Sequence, residues 1–288
     1  MADDPRGRVA DQFAGRGGRA DVWRLLERVV DADAYLNLGY SRRFQPHLLG
    51  SCQRRLVAQV AARVAAELEA PAGARLLDVG CGRGGPARDL AARLGCRVTG
   101  VDLVFENVRR AAARARDRTA FVVGDATRLP VADGAVAAAT AIDALVYVPE
   151  RAAALAAVAD ALASGGVLVF SDLVLAADAD DAARAAADAF ADAWDMPPLA
   201  TVPDYRRALG DAGLDVAAVE DLSPHSVGRF RRYTTPLAWL AAGRTRPLVA
   251  RPLQSRGLDA DTVLEQVQRA NEALPALRHV LVTAHAPG

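Results

Sequence analysis

Apolar and polar positions along the chain follow two periods that trade places. Short apolar runs bounded by Gly, Pro or Asp predict strands at 75–79, 97–102, 119–123, 136–142 and 166–172. Between them, apolar residues recurring every three to four positions predict helices at 86–94, 105–116 and 149–163. Such alternation is the pattern of a parallel sheet covered on both faces, with right-handed crossovers setting the C-terminal ends of the strands along one edge. After Asp172 the pattern loosens into helices at 179–194, 203–212, 230–242 and 259–274, strands at 215–220 and 279–284, and a loop around Pro247, Pro252 and Gly257. Upstream, Leu56, Val60, Val64 and Leu68 form one stripe of a helix at 51–68. Ahead of it stand a structured loop from Tyr35 to Tyr40, a short amphipathic helix at 22–30, and a mobile arm to about Arg19.

The first strand breaks at Gly80-Cys81-Gly82-Arg83-Gly84-Gly85, a turn whose missing β-carbons allow tight bending and close approach of a ligand. The glycines satisfy both G-x-G-x-G and G-x-G-x-x-G, and Asp102 sits where a dinucleotide site places its ribose acid. The turn alone therefore leaves the ligand open. Acids at the other strand ends narrow it. Asp102 can accept from ribose hydroxyls, Asp125 after the third strand from an adenine amino group, and Asp78 can neutralise an ammonium. A ligand with adenine, ribose and an amino-acid tail uses all three.

Composition removes several alternatives. Basic and acidic residues number 35 each, which argues against nucleic acid or a membrane surface as partner. Every basic residue counted is arginine. The absence of lysine excludes Schiff-base chemistry, a P-loop lysine and the Tyr-x-x-x-Lys pair of short-chain dehydrogenases, so a nicotinamide oxidoreductase is disfavoured. Cys52, Cys81 and Cys96 are odd in number and not spaced as zinc pairs; neither a disulfide framework nor a metal site is expected, and a cytoplasmic location fits best. No apolar run approaches a membrane span.

Five stretches together resemble the class I S-adenosylmethionine-dependent methyltransferases. Leu76-Leu77-Asp78-Val79-Gly80-Cys81-Gly82-Arg83-Gly84 resembles the first motif of that family, and Val101-Asp102-Leu103 its ribose-binding strand end. Gly124 to Pro130 resembles its adenine loop, and Asp143 to Pro149 with Leu162 to Gly166 completes the set. The resemblance implies an α/β fold: a Rossmann-like, mostly parallel seven-stranded sheet with helices on both faces, an N-terminal helical cap and an insertion after the fifth strand. It divides the chain into an arm and cap at 1–70, a cofactor-binding core at 71–175, a helical lid at 176–200 and the C-terminal part of the fold at 201–288.

The implied cofactor is S-adenosylmethionine, with Gly80 and Gly82 at its methionine part, Asp102 on ribose, Leu103 against adenine, Asp125 with Ala126 at its amino group, and Ile142 near the methionyl end. Tyr35, Tyr40 and Gln53 resemble the cap of the small-molecule, natural-product branch and would close over the methionyl carboxylate. The implied partner is a small-molecule acceptor, a secondary metabolite of the kind met in antibiotic biosynthesis, methylated at O, N or C; a homodimer is compatible.

Catalysis departs from the family pattern. Many members carry a His-His pair after the fourth strand, and Val146 and Tyr147 stand there instead. Tyr147 as an orienting group and Asp143 as a base are the candidates, with Asp172 a further carboxylate that desolvation can turn into a base. Leu173 after Asp172 argues against a metal-dependent variant. His225 is a further candidate base, His47 and His279 read as ordinary surface histidines, and Arg229, Arg231 and Arg232 beside Phe230 and Tyr233 are a candidate clamp for an acidic acceptor. Phe190, Trp194 and Met196 are the expected apolar lining of the insertion. The missing base keeps an alternative open, in which the cofactor is bound but the pocket catalyses a cyclisation or rearrangement.

Overall fold

A computed structural model describes residues 5–14, 34–42, 44–45, 49–255 and 259–288. The expected helix at 22–30 and His47 lie outside these. Helix α1 (Pro5–Ala14) and α2 (Leu49–Glu67) precede strand β1 (Arg75–Val79). Then follow α3 (Gly85–Leu94), β2 (Arg97–Asp102), α4 (Phe105–Ala112), β3 (Thr119–Val123), β4 (Val136–Ile142), α5 (Arg151–Ala161) and β5 (Leu162–Leu175). The chain ends with α6 (Asp181–Ala193), α7 (Val202–Asp211), β6 (Asp215–Asp221), α8 (Val227–Ala242), α9 (Arg246–Gln254), α10 (Ala260–Ala273) and β7 (Leu277–His285).

The seven strands form one sheet in the order β3-β2-β1-β4-β5-β7-β6. All pairings are parallel except those of β7, which runs antiparallel between β5 and β6. Neighbouring strand residues point to opposite faces, so Leu77, Leu168 and Val280 pack one face against Leu155 and Val158 of α5 and Leu209 of α7. Leu76, Val169 and Leu281 pack the other against Leu56 and Val60 of α2 and Leu90 of α3. The strand order reverses between β1 and β4, and ligands of such sheets bind outside the strand ends at that point.

Four predicted segments differ most. The expected mobile arm contains a helix, because Val9 and Phe13, one turn apart, bury against Val104 and pack on Leu36 and Tyr147. The expected loop around Pro247 and Pro252 is largely helix α9. Pro247 falls at its first turn, where an absent N–H is harmless, and Pro252, whose interior position costs about 3 kcal/mol, is offset by Ala250 and Leu253 packing on Ala241 and Leu264. Helix α4 stops at Ala112 rather than Arg116. Strand β5 outruns its expected bounds at both ends, since Leu162 pairs with Val136 of β4 at its start and β7 pairs with it as far as Leu175 at its end.

Candidate active site

The C-terminal ends of β1, β2 and β4 open onto a cleft of about 890 Å³. Of the candidate residues, Gly80, Gly82, Asp102, Leu103, Asp125, Ala126, Ile142, Asp143 and Tyr147 all line it. Two different pressures keep the turn β-carbon-free. At Gly80 (φ +67°) an added Cβ would stand 2.4 Å from the Ala144 Cβ, so protein packing alone demands glycine there. At Gly82 (φ +52°) the nearest atom is the Leu36 Cδ1 at 3.1 Å, across the cleft mouth.

Three donors fix the Asp102 carboxylate at the end of β2. Its Oδ2 accepts from the Gly82 N–H at 2.8 Å, and its Oδ1 from the Val104 N–H at 2.9 Å and Asn107 Nδ2 at 3.2 Å. Burial raises its carboxyl above the usual range, and those donors partly offset the rise. On the Asp125 side chain, Oδ1 accepts from Thr127 N–H and Oγ1 at 2.9 and 2.8 Å, which sets the carboxylate in a turn at the cleft edge.

Tyr35, Gln53 and Asp78 do not reach the surface of the cleft. Asp78 is buried behind the turn; Oδ1 accepts from Thr140 Oγ1 at 2.9 Å and Oδ2 has no partner. Burial, with Asp102 adding repulsion, pushes its carboxyl up to about 7 against the pull of Thr140. Gln53 Nε2 donates to the Tyr35 and Asn37 carbonyls, both at 2.8 Å, leaving a buried Oε1 without a partner. That free atom is an acceptor, suited to an ammonium rather than to the carboxylate expected. The phenol of Tyr35 is held well above its usual range by burial and by its hydrogen-bonded neighbour Asp89. Tyr40 stacks at 4.9 Å on His225, whose Nδ1 lies 3.2 Å from the Ser41 carbonyl, so both residues brace the loop.

A second cavity of about 740 Å³ adjoins the first, sharing Leu36, Asp143 and Tyr147 with it. Phe190, Trp194 and Met196 of the insertion line it as expected, joined by Leu173, Phe230 and Leu274. No arginine lines it among the described residues. The Arg229 guanidinium instead donates to the Arg42 carbonyl, and Arg231 and Arg232 are exposed, so the expected clamp is not assembled here. The Tyr233 side chain lies outside those described.

Asp143 sits at the junction in left-handed backbone, φ +53°, an uncommon state for a non-glycine residue. Its Oδ1 accepts from Ser171 Oγ at 2.5 Å and lies 2.9 Å from His279 Nε2, and its Oδ2 accepts from the Leu38 N–H at 2.8 Å. Burial would raise this carboxyl, but the His279 charge and the three hydrogen bonds together hold it below the usual range. The reading of His279 as an ordinary surface histidine is therefore corrected: it is fully buried on β7, opposite Leu173. Its partner is more than a hundred residues away in sequence, and no local pattern marks such a pair. Asp172 is corrected too. It is buried away from both cavities against Tyr205, which donates to its Oδ2, and desolvation raises it to about 7.

Tyr147 belongs to a single 3-10 turn, Leu145–Tyr147, whose Leu145 and Val146 carbonyls are held by Arg151 at 3.1 and 3.0 Å. Its ring meets Phe13 of α1 edge-on at 5.2 Å. Arg151, Ser171 and Phe13 were absent from the expected set because each acts through packing or through another residue.

Residues 77–170 match the methyltransferase domain family. The chain is 31% identical over 237 residues to the 27-O-demethylrifamycin SV methyltransferase of Amycolatopsis mediterranei, covering 78% of this chain and 82% of that one. It is 33% identical over 161 residues to methyltransferase GfsG of Streptomyces halstedii, covering 54% of this chain and 58% of that relative's length. A geranyl diphosphate methyltransferase, solved with GPP and sinefungin, has the same fold: TM-score 0.74 at 19% identity over 98% of this chain and 99% of that one. The buried, partnerless acceptors on Asp78 and Gln53 and the β-carbon-free turn at Gly82 fit a cationic adenosyl cofactor. The chain belongs to the class I S-adenosylmethionine-dependent methyltransferases.

Proposed function

We propose that this enzyme methylates a hydroxyl oxygen on a neutral, largely apolar small molecule of the secondary-metabolite kind. The observation that carries the reading is the meeting of a carboxylate-edged cleft and an apolar cavity at Asp143 and Tyr147. A diphosphate or phosphate acceptor would need cationic partners, and the described lining of the apolar cavity has none. The name of the rifamycin relative, with a hydroxyl-bearing natural product as its substrate, points the same way. Tailoring in an antibiotic pathway is the matching biological setting.

In this reading Asp102 takes the ribose hydroxyls, Leu103, Asp125 and Ala126 the adenine, and Ile142 the methionyl end. Gly80 and Gly82 give backbone access. Asp78, and Gln53 through its Oε1, offer acceptors to the amino-acid tail, while Tyr35 supports the loop. The bound cofactor supplies a sulfonium methyl whose C–S bond breaks, its electron pair passing to sulfur, as the acceptor oxygen forms the new C–O bond. Tyr147 orients the acceptor hydroxyl between the cavities. An ionised carboxylate has about four lone-pair sites; three of those on Asp143 are engaged, and the remaining one, on Oδ2, takes the acceptor proton. A carboxylate of lowered pKa suffices, because an oxygen gaining a methyl becomes strongly acidic. Positioning and exclusion of water carry much of the rate.

Incubation with ¹³C-methyl-labelled S-adenosylmethionine and a panel including 27-O-demethylrifamycin SV, a hydroxylated neutral macrolactone and a prenyl diphosphate tests this. Label in a methyl ether of a neutral acceptor supports it. Label carried only by the prenyl diphosphate, or at carbon or nitrogen, overturns it. Turnover of an acceptor with all label left in the cofactor supports the rearrangement alternative.

A further inference from the structure

Resting on the reading of the apolar cavity as the acceptor site, we infer that Asn37 is the specificity-determining polar anchor for the acceptor. Asn37 is 1% exposed, and neither its Oδ1 nor its Nδ2 has a hydrogen-bond partner. It lines a cavity whose other walls are almost wholly apolar side chains. A buried carboxamide with both ends unsatisfied is strongly unfavourable unless something entering the cavity completes it.

The backbone around Asn37 is fixed from both sides. Its carbonyl accepts from Gln53 Nε2 at 2.8 Å, and the next N–H, that of Leu38, donates to Asp143 Oδ2 at 2.8 Å. The same carboxylate thus faces both cavities and holds the residue beside the anchor. An acceptor group bound to Asn37 is in this way registered against the reacting position, and the registration depends on no flexible contact. Because the amide offers one donor end and one acceptor end, the matching group is neutral and can both give and take a hydrogen bond: a hydroxyl, or a hydroxyl beside a carbonyl. A phosphate or carboxylate, with acceptors only, leaves the Asn37 oxygen unsatisfied in an apolar surround. Asn37 therefore selects among apolar molecules for one bearing this group.

Three fluorescent probes test the inference in the presence of S-adenosylhomocysteine: 2-naphthol, 2-methoxynaphthalene, which only accepts, and 2-methylnaphthalene, which does neither. A purely apolar site prefers the methyl compound. The wild type is expected to bind 2-naphthol roughly tenfold tighter than 2-methylnaphthalene, and Asn37→Leu to reverse that order. Asn37→Asp, which keeps acceptors and loses the N–H, is expected to retain 2-naphthol and lose 2-methoxynaphthalene; it serves alone where the leucine variant does not fold. An unchanged order of the probes in the folded variants overturns the role of Asn37 and leaves the acceptor site standing. Failure of all three probes to bind wild type that still binds S-adenosylhomocysteine overturns the acceptor-site reading together with the inference.

Discussion

The cleft beside the glycine turn and the cavity beside it share Asp143 and Tyr147, yet they are built in opposite ways. The first takes its polar groups from residues at or just beyond the ends of consecutive parallel strands, Asp102, Asp125 and Asp143, so a stretch of about seventy residues from Asp78 carries it. The second gathers Asn37 from the N-terminal loop, Leu173 from β5, Phe190 from the insertion, Phe230 from α8 and Leu274 after α10. One carries carboxylates on its edge, drawn from a short stretch of chain; the other is almost wholly apolar and assembled from distant segments, and in the proposed reading the first takes the cofactor and the second the acceptor. A fold that keeps its cofactor site in the sheet and its acceptor site in the additions can change substrates without disturbing the chemistry.

The sharpest way to break this division is Asp102→Ala. It removes a charged, bidentate partner, so affinity for S-adenosylhomocysteine by calorimetry is expected to fall about a thousandfold. Binding of 2-naphthol in the other cavity should persist; joint loss of both would mean that the two sites are not separable. At the shared boundary, Asp143→Asn is expected to lower kcat about a hundredfold with a much smaller change in cofactor affinity, measured by steady-state kinetics and calorimetry on the same preparation.

His279→Ala acts on the same carboxylate from behind. With the imidazole gone, burial raises the Asp143 carboxyl, so the acidic limb of the kcat profile should move to higher pH and the rate fall about tenfold at neutral pH. A purely structural role for His279 would lower the rate without moving that limb. Within the cofactor half, burial raises Asp78 to about 7, and in the proposed reading it must be ionised to meet an ammonium. Affinity for S-adenosylhomocysteine should weaken below pH 7 by up to about tenfold per unit, and Asp78→Asn should flatten the dependence while lowering affinity at pH 8.

The smallest effect is on stability alone. Asp172 titrates at about 7 in the fold against about 4 in the unfolded chain, so between those values the folded state holds the extra proton. Stability from this group is fully present below pH 4, declines as pH rises towards 7 and levels off above it. Urea unfolding of Asp172→Asn at pH 5 and pH 8 should show a smaller difference than the wild type, with cofactor affinity unaltered.

The alternation of short apolar runs and helical stripes determined the order of strands and helices in the core. The acids at the strand ends determined the cofactor class, because each lies within a few residues of a turn that positions it. Helix α1 escaped that reading since Val9 and Phe13, which pack it against Val104, are too few positions to show a helical period, and α9 because Pro247 and Pro252 signal a break that Ala250 and Leu253 outweigh by packing. Only the tertiary structure decided the pairing of Asp143 with His279, the withdrawal of Asp172 from the site, the placement of Arg229 outside the apolar cavity and the burial of Asn37, its amide without a partner, in the wall of that cavity. Each of these depends on contacts between segments up to 187 positions apart, and spacing along a chain records only neighbours on the same strand or helix, not which strand the closing antiparallel β7 will set beside them.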